Sequence, residues 1–306
     1  ILERMSVRIK MRRRKGFTFG LTQKMNLWGY LFVFPSLVIL LVFRFIPMIT
    51  AGYLSLTKYD LFTPPKFIGI QNYVDLAQDQ VFLQTVKTSF LYVIGSVIPV
   101  LIISLILALL TVKVIRFGNI YRTLIFLPVV LAPVVVAILW RFLYFKAGMV
   151  NTLLSYLNLP PVPWLTTPRT ALLSLILIGI WRASPYFMVI FTAGLQSIPT
   201  TYYEAGRIDG TNAWSEFWHI TLPLLKPIIL LVIVIAVITA LKVFAVPQLM
   251  TEGGPAGATE VIPLHIYKTG FEFFKMGRAS AMSIILFAIM MVFSLVQIRL
   301  FSEKDS

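Results

Sequence analysis

Long apolar runs alternate with shorter polar segments along the chain after residue 27. Six of these runs are long enough to cross a bilayer, because about 20 helical residues rising ~1.5 Å each span a hydrocarbon core of ~30 Å. The runs are continuous rather than alternating in hydrophobicity, which favours helices over a β-barrel. The predicted spans are Trp28–Thr57, Phe90–Val112, Tyr121–Phe145, Ala171–Leu195, Pro223–Val246 and Ala281–Phe301. The pattern predicts an all-α integral membrane protein with six transmembrane helices.

Composition agrees with this class. Hydrophobic residues make up 58% of the 306 residues and charged residues 13%, against roughly 45–50% and 25% in soluble domains. The mean hydropathy is +0.86. The chain has no cysteine, which excludes disulfides, thiolate metal sites and a cysteine nucleophile, and no other metal site is predicted.

The positive charge is unevenly distributed. The formal net charge is +15, and eight of the 27 Lys and Arg residues precede Trp28. Basic residues collect on the cytoplasmic side of membrane proteins, so residues 1–27 are predicted to form a cytoplasmic tail and residues 28–306 the membrane domain, with both termini inside. No groove-reading element accompanies the basic run, which argues against nucleic-acid binding.

The sequence also bears on the energy source. No Asp or Glu lies in a predicted span, whereas proton-coupled carriers place such groups within the bilayer. The chain lacks the Gly-x-x-x-x-Gly-Lys-Ser/Thr loop that holds nucleotide phosphates. We therefore expect a chain that is not itself an enzyme and that receives energy from a partner on its inner face.

A polar segment between the fourth and fifth spans fits such docking. Thr201 and Glu204 have the spacing of a capping box at the start of a helix. Asp209 and Gly210 can end that helix, because glycine readily adopts the left-handed conformation after the last turn. The small residues Ala205–Gly206 would leave a thin flank that fits into a groove.

A second short helix is predicted from about Ala213 to Ile220, before Pro223 begins the next span. The two helices would form an L-shaped cytoplasmic coupling segment, residues 200–227, at the membrane surface. Its aromatic side chains could anchor at the lipid headgroups or contact the partner; they are Trp214, Phe217 and Trp218.

The run from Glu204 to Gly210 resembles the EAA loop of permease subunits from binding-protein-dependent ABC importers. The resemblance continues through Phe217, Ile220, Leu222, Pro223 and Pro227. Gly206 and Thr211 depart from it, since that family usually has Ala there. Further features resemble the sugar-type permeases, and the permease core would then cover residues 84–301; these features are Pro35, Pro47, Ser55, Trp181-Arg182, Gly194 to Pro199, Gly253-Gly254-Pro255, Thr259-Glu260, Tyr267, Phe271 and Gly277 to Ala281.

This resemblance implies a multi-pass protein of a bacterial or archaeal plasma (inner) membrane that forms half of the pathway for a sugar, such as a di- or oligosaccharide. The implied partners are a second, different permease, two ATPase subunits and an extracytoplasmic solute-binding protein. ATP and Mg would be held by the ATPases, and this chain would bind no cofactor. The residues implied in ATPase coupling are Glu204, Ala205, Gly206, Asp209, Gly210, Trp214 and Phe217.

Two further sites are expected. Arg182 lies about twelve residues into the fourth predicted span, so it should face water or a polar partner. With Trp181, Ser184 and Tyr186 it could line the substrate pathway; alternatively, it is a structural arginine bonded to backbone at a break caused by Pro185. Gly253, Gly254 and Pro255 would shape a loop that faces the binding protein, or form only a turn.

Three alternatives remain open at the level of sequence. The same type of importer could carry glycerol phosphate or another polar solute. A secondary carrier or channel would need coupling residues within its spans and no docking loop. A scaffold subunit would need no polar pathway residues.

Overall fold

Helices form nearly all the regular structure in the computed structural model, which describes residues 21–113 and 118–302. The α-helices described there are α1 (Leu21–Leu40), α2 (Ile46–Leu54), α3 (Gln71–Gln78), α4 (Gln80–Lys113), α5 (Gly118–Val130), α6 (Pro133–Leu143), α7 (Met149–Tyr156), α8 (Pro168–Gln196), α9 (Thr200–Ile208), α10 (Ala213–Glu216), α11 (Leu222–Leu241), α12 (Ala245–Thr251), α13 (Ile262–Tyr267) and α14 (Met276–Ser302). π-helical turns cover Leu41–Phe45, Phe217–Thr221 and Lys268–Glu272. The predicted all-α class is confirmed.

The described residues contain five helical runs long and apolar enough to cross a membrane, and a sixth span if α5 and α6 count as one. This confirms the predicted set of spans with one correction. The third predicted span is broken, since α5 and α6 meet at 105°. Pro133 begins α6, and Ala132 before it has an extended ψ of 140°, because a residue that precedes proline is pushed out of the helical region.

Two of the π-helical turns end two residues before a proline. Pro47 and Pro223 have no N–H with which to bond the carbonyl four residues earlier. The turn before each of them widens instead, so that Ile46 N–H bonds the Leu41 carbonyl and Leu222 N–H bonds the Phe217 carbonyl. A single wider turn of this kind keeps the helix continuous.

The chain forms two compact units with a boundary between Thr50 and Ala51. In the first unit the side chains from Trp28 to Thr50 are all exposed, as suits a helix that is surrounded by lipid. The helix α1 begins at Leu21, inside the predicted tail, and residues 1–20 of that tail lie outside the described residues. The predicted domain boundary at residue 27 stays a prediction.

The second unit has its core between α4, α8 and α11. These helices are apolar on most sides, as expected for spans that contact both protein and lipid. Buried side chains from the three helices interdigitate in one cluster that includes Val93, Val97, Val100, Phe187, Phe191, Leu225, Val232 and Val237. The packing holds α8, which carries Arg182, against its neighbours.

Buried asparagines organise two connecting segments that the sequence did not predict in detail. Asn72 on α3 donates to the carbonyls of Ser55 and Thr57, at 2.8 and 2.9 Å, beside the two-stranded sheet of Thr57–Lys58 (β1) and Lys66–Phe67 (β2). Asn151 on α7 accepts from the Val162 N–H at 3.0 Å. Each amide satisfies backbone groups that a loop would otherwise leave unpaired.

Candidate coupling segment and translocation cavity

The polar segment after α8 folds as a short helix with a well-defined end. Gly210 has φ +78°, the left-handed conformation that was predicted for it. The Gly210 N–H bonds the Arg207 carbonyl at 3.1 Å, and the Thr211 N–H bonds the Gly206 carbonyl at 2.9 Å. These two bonds make a Schellman motif, so α9 ends at Ile208 and the chain turns at Gly210.

The start of α9 differs from the predicted capping box. Pro199 is the N-cap residue and no side chain caps the helix, because proline has no side-chain oxygen that could accept from the first backbone N–H groups. Thr201 is therefore inside the first turn rather than before it. Glu204 is exposed, and its carboxylate has no hydrogen bond or ion pair within the part of the chain that is described.

The second helix of the segment is also corrected. Asn212 caps α10 by accepting from the Ser215 N–H at 2.9 Å. The helix then continues through the π-helical turn into α11, so the predicted separate helix Ala213–Ile220 is the first part of the fifth span. Trp214, Phe217 and Trp218 form an aromatic cluster there, with ring centroids 5.4–6.5 Å apart.

Three contacts that the sequence did not predict fix α9 against α10 and the turn that follows. The Tyr203 hydroxyl lies 3.0 Å from that of Thr221, and Arg207 Nε lies 3.2 Å from Glu216 Oε1. Gly206 is buried, and a Cβ there would lie 2.8 Å from Ile220 Cδ1. The predicted exposed flank at Gly206 is therefore wrong.

Gly206 serves close packing inside the segment instead. Glycine at this position, where the EAA loop that the segment resembles usually has alanine, was the signal in the sequence that could have revealed this packing.

The outward side of the segment combines apolar and charged groups. Ile208 is 87% exposed and Trp214 is 71% exposed. Exposed with them are Tyr202, Glu204, Ala205 and Asp209. We call this set of six residues the coupling face. Large apolar side chains exposed among charges are typical of a protein contact surface.

A cavity of about 580 Å³ lies between α4, α8 and α11. Three aromatic rings, two cations and two hydroxyls are among the groups that line it: Tyr92, Tyr186, Phe244, Arg182, Lys242, Ser96 and Thr239. Its volume is within the range of small-molecule sites, and polar groups set in apolar walls are their usual chemistry.

The four predicted pathway residues divide into two groups. Arg182 and Tyr186, one helical turn apart, line the cavity. Trp181 instead packs edge-on against Trp140 with ring centroids 5.4 Å apart. Ser184 is buried and donates to the Ile180 carbonyl at 2.7 Å. The turn of the helix thus places Trp181 and Ser184 outside the described cavity lining, and their role in the pathway stays a prediction.

Arg182 lacks the structural role that was left open for it. The helix α8 runs through Pro185 without a break. The Arg182 Nε is buried and has no hydrogen-bond partner among the described residues. Because an arginine at the centre of a membrane helix costs about 2.5–3.5 kcal/mol, its place in the lining of a cavity favours a functional interpretation.

The loop after α12 is more buried than its run of glycine and proline residues suggested. Gly253 is buried, with φ +85°. The Thr259 hydroxyl donates to the Gly254 carbonyl at 2.7 Å, and Lys268 Nζ donates to the Glu252 carbonyl at 2.8 Å. Gly254 and Pro255 are half-buried. Contact of this loop with a binding protein stays a prediction.

Glu260 holds this loop to α13. Its carboxylate lies 2.6 Å from His265 Nδ1 and 3.2 Å from Lys268 Nζ. The hydrogen bond from His265, with a further contribution from Lys268, lowers the pKa of Glu260 despite its partial burial. Both contacts stabilise the charged carboxylate.

We expect this cluster to make the loop sensitive to acid. A carboxyl whose folded pKa is lowered contributes stability above its unfolded pKa and loses it as pH falls through the folded value. Protease accessibility of the loop should therefore rise below about pH 4.5 in the wild type. Glu260→Gln should already be accessible at pH 7 and respond less to acid. An unchanged acid response in Glu260→Gln, measured by limited proteolysis, would contradict the role of this carboxylate.

Comparison with known proteins identifies the family. Residues 87–302 match the model of the binding-protein-dependent transport system inner membrane component. The chain belongs to this family. Its sequence resemblance to binding-protein-dependent permeases is thereby confirmed, as is a multi-pass location in the inner membrane.

Two relatives cover nearly the whole permease. The chain is 37% identical over 279 residues to the Probable ABC transporter permease protein YesP of Bacillus subtilis, covering 90% of both chains. It is 32% identical over 276 residues to the trehalose/maltose transport system permease protein MalF of Thermococcus litoralis, covering 89% of this chain and 92% of that one. The sugar-type resemblance is supported by the second name.

A solved structure has the same fold. It is that of a bacterial alginate ABC transporter in complex with an alginate pentasaccharide-bound periplasmic protein. One of its chains superimposes with a TM-score of 0.79 at 25% identity, over 90% of this permease and 93% of that chain. The cavity and the coupling face therefore lie in a fold known from an ABC transporter.

Proposed function

We propose that this chain is the permease subunit of an ATP-driven importer and forms half of the translocation pathway for a di- or oligosaccharide. The family membership and the sugar-named relative support the class of transporter and solute. The cavity that Arg182 and Tyr186 line is the observation that carries the proposal. Aromatic rings and hydroxyls are the groups that bind the apolar faces and hydroxyls of sugars.

The coupling face is the proposed contact with the ATPase. Glu204 has no described partner within the chain, so it is available to a basic residue of another subunit. Ile208 and Trp214 offer apolar area that only a partner or lipid would cover. In this arrangement both termini and the segment 200–227 are cytoplasmic, and the other subunits are a different permease, two ATPases and an external solute-binding protein.

The mechanism follows from how the segment is attached. α10 continues without a break into α11, and α11 lines the cavity through Thr239. A displacement of α9 is passed to α11 through the contacts of Tyr203 and Arg207. ATP-driven closure of the ATPase pair would thus move a wall of the cavity, which is alternating access by rigid-body motion. Hydrolysis on the partner resets it.

The test begins with a tagged copy of the chain expressed in the organism that encodes it. A tagged copy is purified in detergent, and the subunits that accompany it are identified by mass spectrometry. The complex is then reconstituted into lipid vesicles together with its binding protein. ATP and Mg are supplied to the ATPase, and uptake of labelled oligosaccharides is measured. Recovery of an ATPase and a second permease, with ATP-dependent uptake, is expected. A folded chain that brings no ATPase would overturn the proposal.

A further inference from the structure

Resting on the proposed function, we propose that the solute is an anionic saccharide, a sugar acid or an oligosaccharide that bears carboxylates, and that Arg182 binds a carboxylate in the cavity. This inference rests on two cations that line the cavity among aromatic rings: Arg182, whose guanidinium lacks a described hydrogen-bond partner, and Lys242. Neutral sugars need the rings and hydroxyls but not the cations.

The main observation is that the Arg182 guanidinium lacks a described hydrogen-bond partner. Its Nε is buried and without a hydrogen-bond partner in the described part of the chain, and the residue lines the cavity. Buried donors in native proteins almost always have partners. A guanidinium presents parallel N–H groups that match the two oxygens of a carboxylate. A carboxylate in the cavity would supply the partner that the chain does not.

The charges around the cavity point the same way. Lys242 is the second cation in the lining, and no Asp or Glu is among the described residues that form it. Lys242 is the C-cap residue of α11, so its ammonium also offsets the partial negative charge of the helix C-terminus. The net positive lining would concentrate anions in a low-dielectric passage.

The remaining groups suit a saccharide rather than a small inorganic anion. Tyr92, Tyr186 and Phe244 place aromatic side chains in the lining of the cavity. The Thr239 hydroxyl lines it as well, and no hydrogen bond is recorded for it among the described residues. The volume of about 580 Å³ exceeds what a single phosphate or sulfate fills, because small-molecule sites begin near 300 Å³.

The experiment compares a sugar acid with its own uncharged ester. Labelled trigalacturonate and its trimethyl ester are bound at equilibrium to the purified complex in lipid nanodiscs, with no binding protein present. We expect the wild type to bind the acid about tenfold or more tightly than the ester, since hydrogen bonds between charged groups are the stronger ones. Arg182→Gln should remove most of that preference by weakening binding of the acid much more than binding of the ester.

Matched variants keep the result interpretable. Lys146→Gln removes an exposed cation that does not line the cavity and should retain the full preference. Arg182→Lys keeps the charge without the fork and should retain part of it. Equal binding of acid and ester by the wild type, or no saturable binding of the acid, overturns the inference even if Arg182→Gln fails to assemble.

The two proposals fail separately. ATPase activity and subunit composition are measured on the same preparation. Loss of the ATPase from the wild-type complex would count against the importer, whereas an intact, ATP-hydrolysing complex that does not distinguish acid from ester would count only against the anionic solute.

Discussion

Replacing Ile208 with Asp should release the ATPase from the purified complex while the permease remains folded. Ile208 is 87% exposed at the end of α9, so its side chain contributes little to the fold of this chain. If a partner groove covers it, a carboxylate there would be buried without a partner of its own. Such changes at the centre of an interface cost about 2 kcal/mol or more, which corresponds to roughly a 30-fold loss of affinity.

The change is local because the end of the helix is held by backbone bonds. The Schellman bonds of Gly210 and Thr211 go to the carbonyls of Arg207 and Gly206, and neither involves the side chain of residue 208. The neighbouring ion pair between Arg207 and Glu216 is also kept. The expected outcome is therefore lost coupling, not an unfolded segment.

The measurement is the ratio of ATPase to tagged permease after purification, with thermal stability of the permease recorded in parallel. Tyr156→Asp is the matched control, since Tyr156 on α7 is 78% exposed and is predicted to lie on the opposite side of the membrane. It should leave the ratio unchanged. Wild-type amounts of ATPase with Ile208→Asp would show that the coupling face is not the docking surface.

The sequence predicted the spans well because their signal is local. A run of about 20 apolar residues fixes a membrane helix almost irrespective of its neighbours. The turn at Gly210 was predicted for the same reason, since Asp-Gly after a helical pattern favours a left-handed residue. The spans and this turn need no knowledge of tertiary contacts.

The sequence predictions were wrong where the structure depends on the effect of a proline or on tertiary packing. Pro133 breaks a span, whereas Pro185 does not interrupt α8; proline alone therefore does not locate a break in a membrane helix, because neighbouring groups can satisfy the freed carbonyl. Gly206 was predicted to be exposed but lies against Ile220. That contact joins residues fourteen positions apart, which hydrophobic periodicity does not reveal.

The candidate pathway shows the same limit. The position of Arg182 within the fourth predicted span singled it out, together with its polar or aromatic neighbours Trp181, Ser184 and Tyr186. Only the rotation of α8 against α4 separates them, with Arg182 and Tyr186 in the cavity lining. Lys242 was missed because it was treated as part of an apolar run, although α11 ends at the residue before it.

Replacing Gly179 with Leu should block transport in a complex that still assembles. Gly179 lines the cavity, and a Cβ there would lie 2.5 Å from the Tyr92 hydroxyl oxygen. Tyr92 is buried in a cluster with Val136, Leu175 and Ile178, so its ring has little room to retreat. The added side chain must displace the tyrosine or occupy the cavity, and either change obstructs the passage.

The expected destabilisation is too small to unfold the chain, so a loss of uptake would reflect an obstructed cavity. Overpacking a tight site typically costs about 1–3 kcal/mol, which a membrane-embedded helix bundle can tolerate. Uptake per assembled complex should nevertheless fall about tenfold or more, because a misplaced side chain in a binding site removes the productive geometry. Gly179→Ala should give a smaller loss.

Gly95 provides the matched control on the facing helix. A Cβ there would lie 2.8 Å from Ile176 Cδ1, the flexible end of a side chain, and Gly95 is not among the described residues that line the cavity. Gly95→Ala therefore perturbs the same pair of helices without entering the passage and should retain uptake. If Gly179→Leu transported at the wild-type rate per assembled complex, the cavity beside Tyr92 and Arg182 could not be the route of the solute, and the route would have to lie along another face of α8.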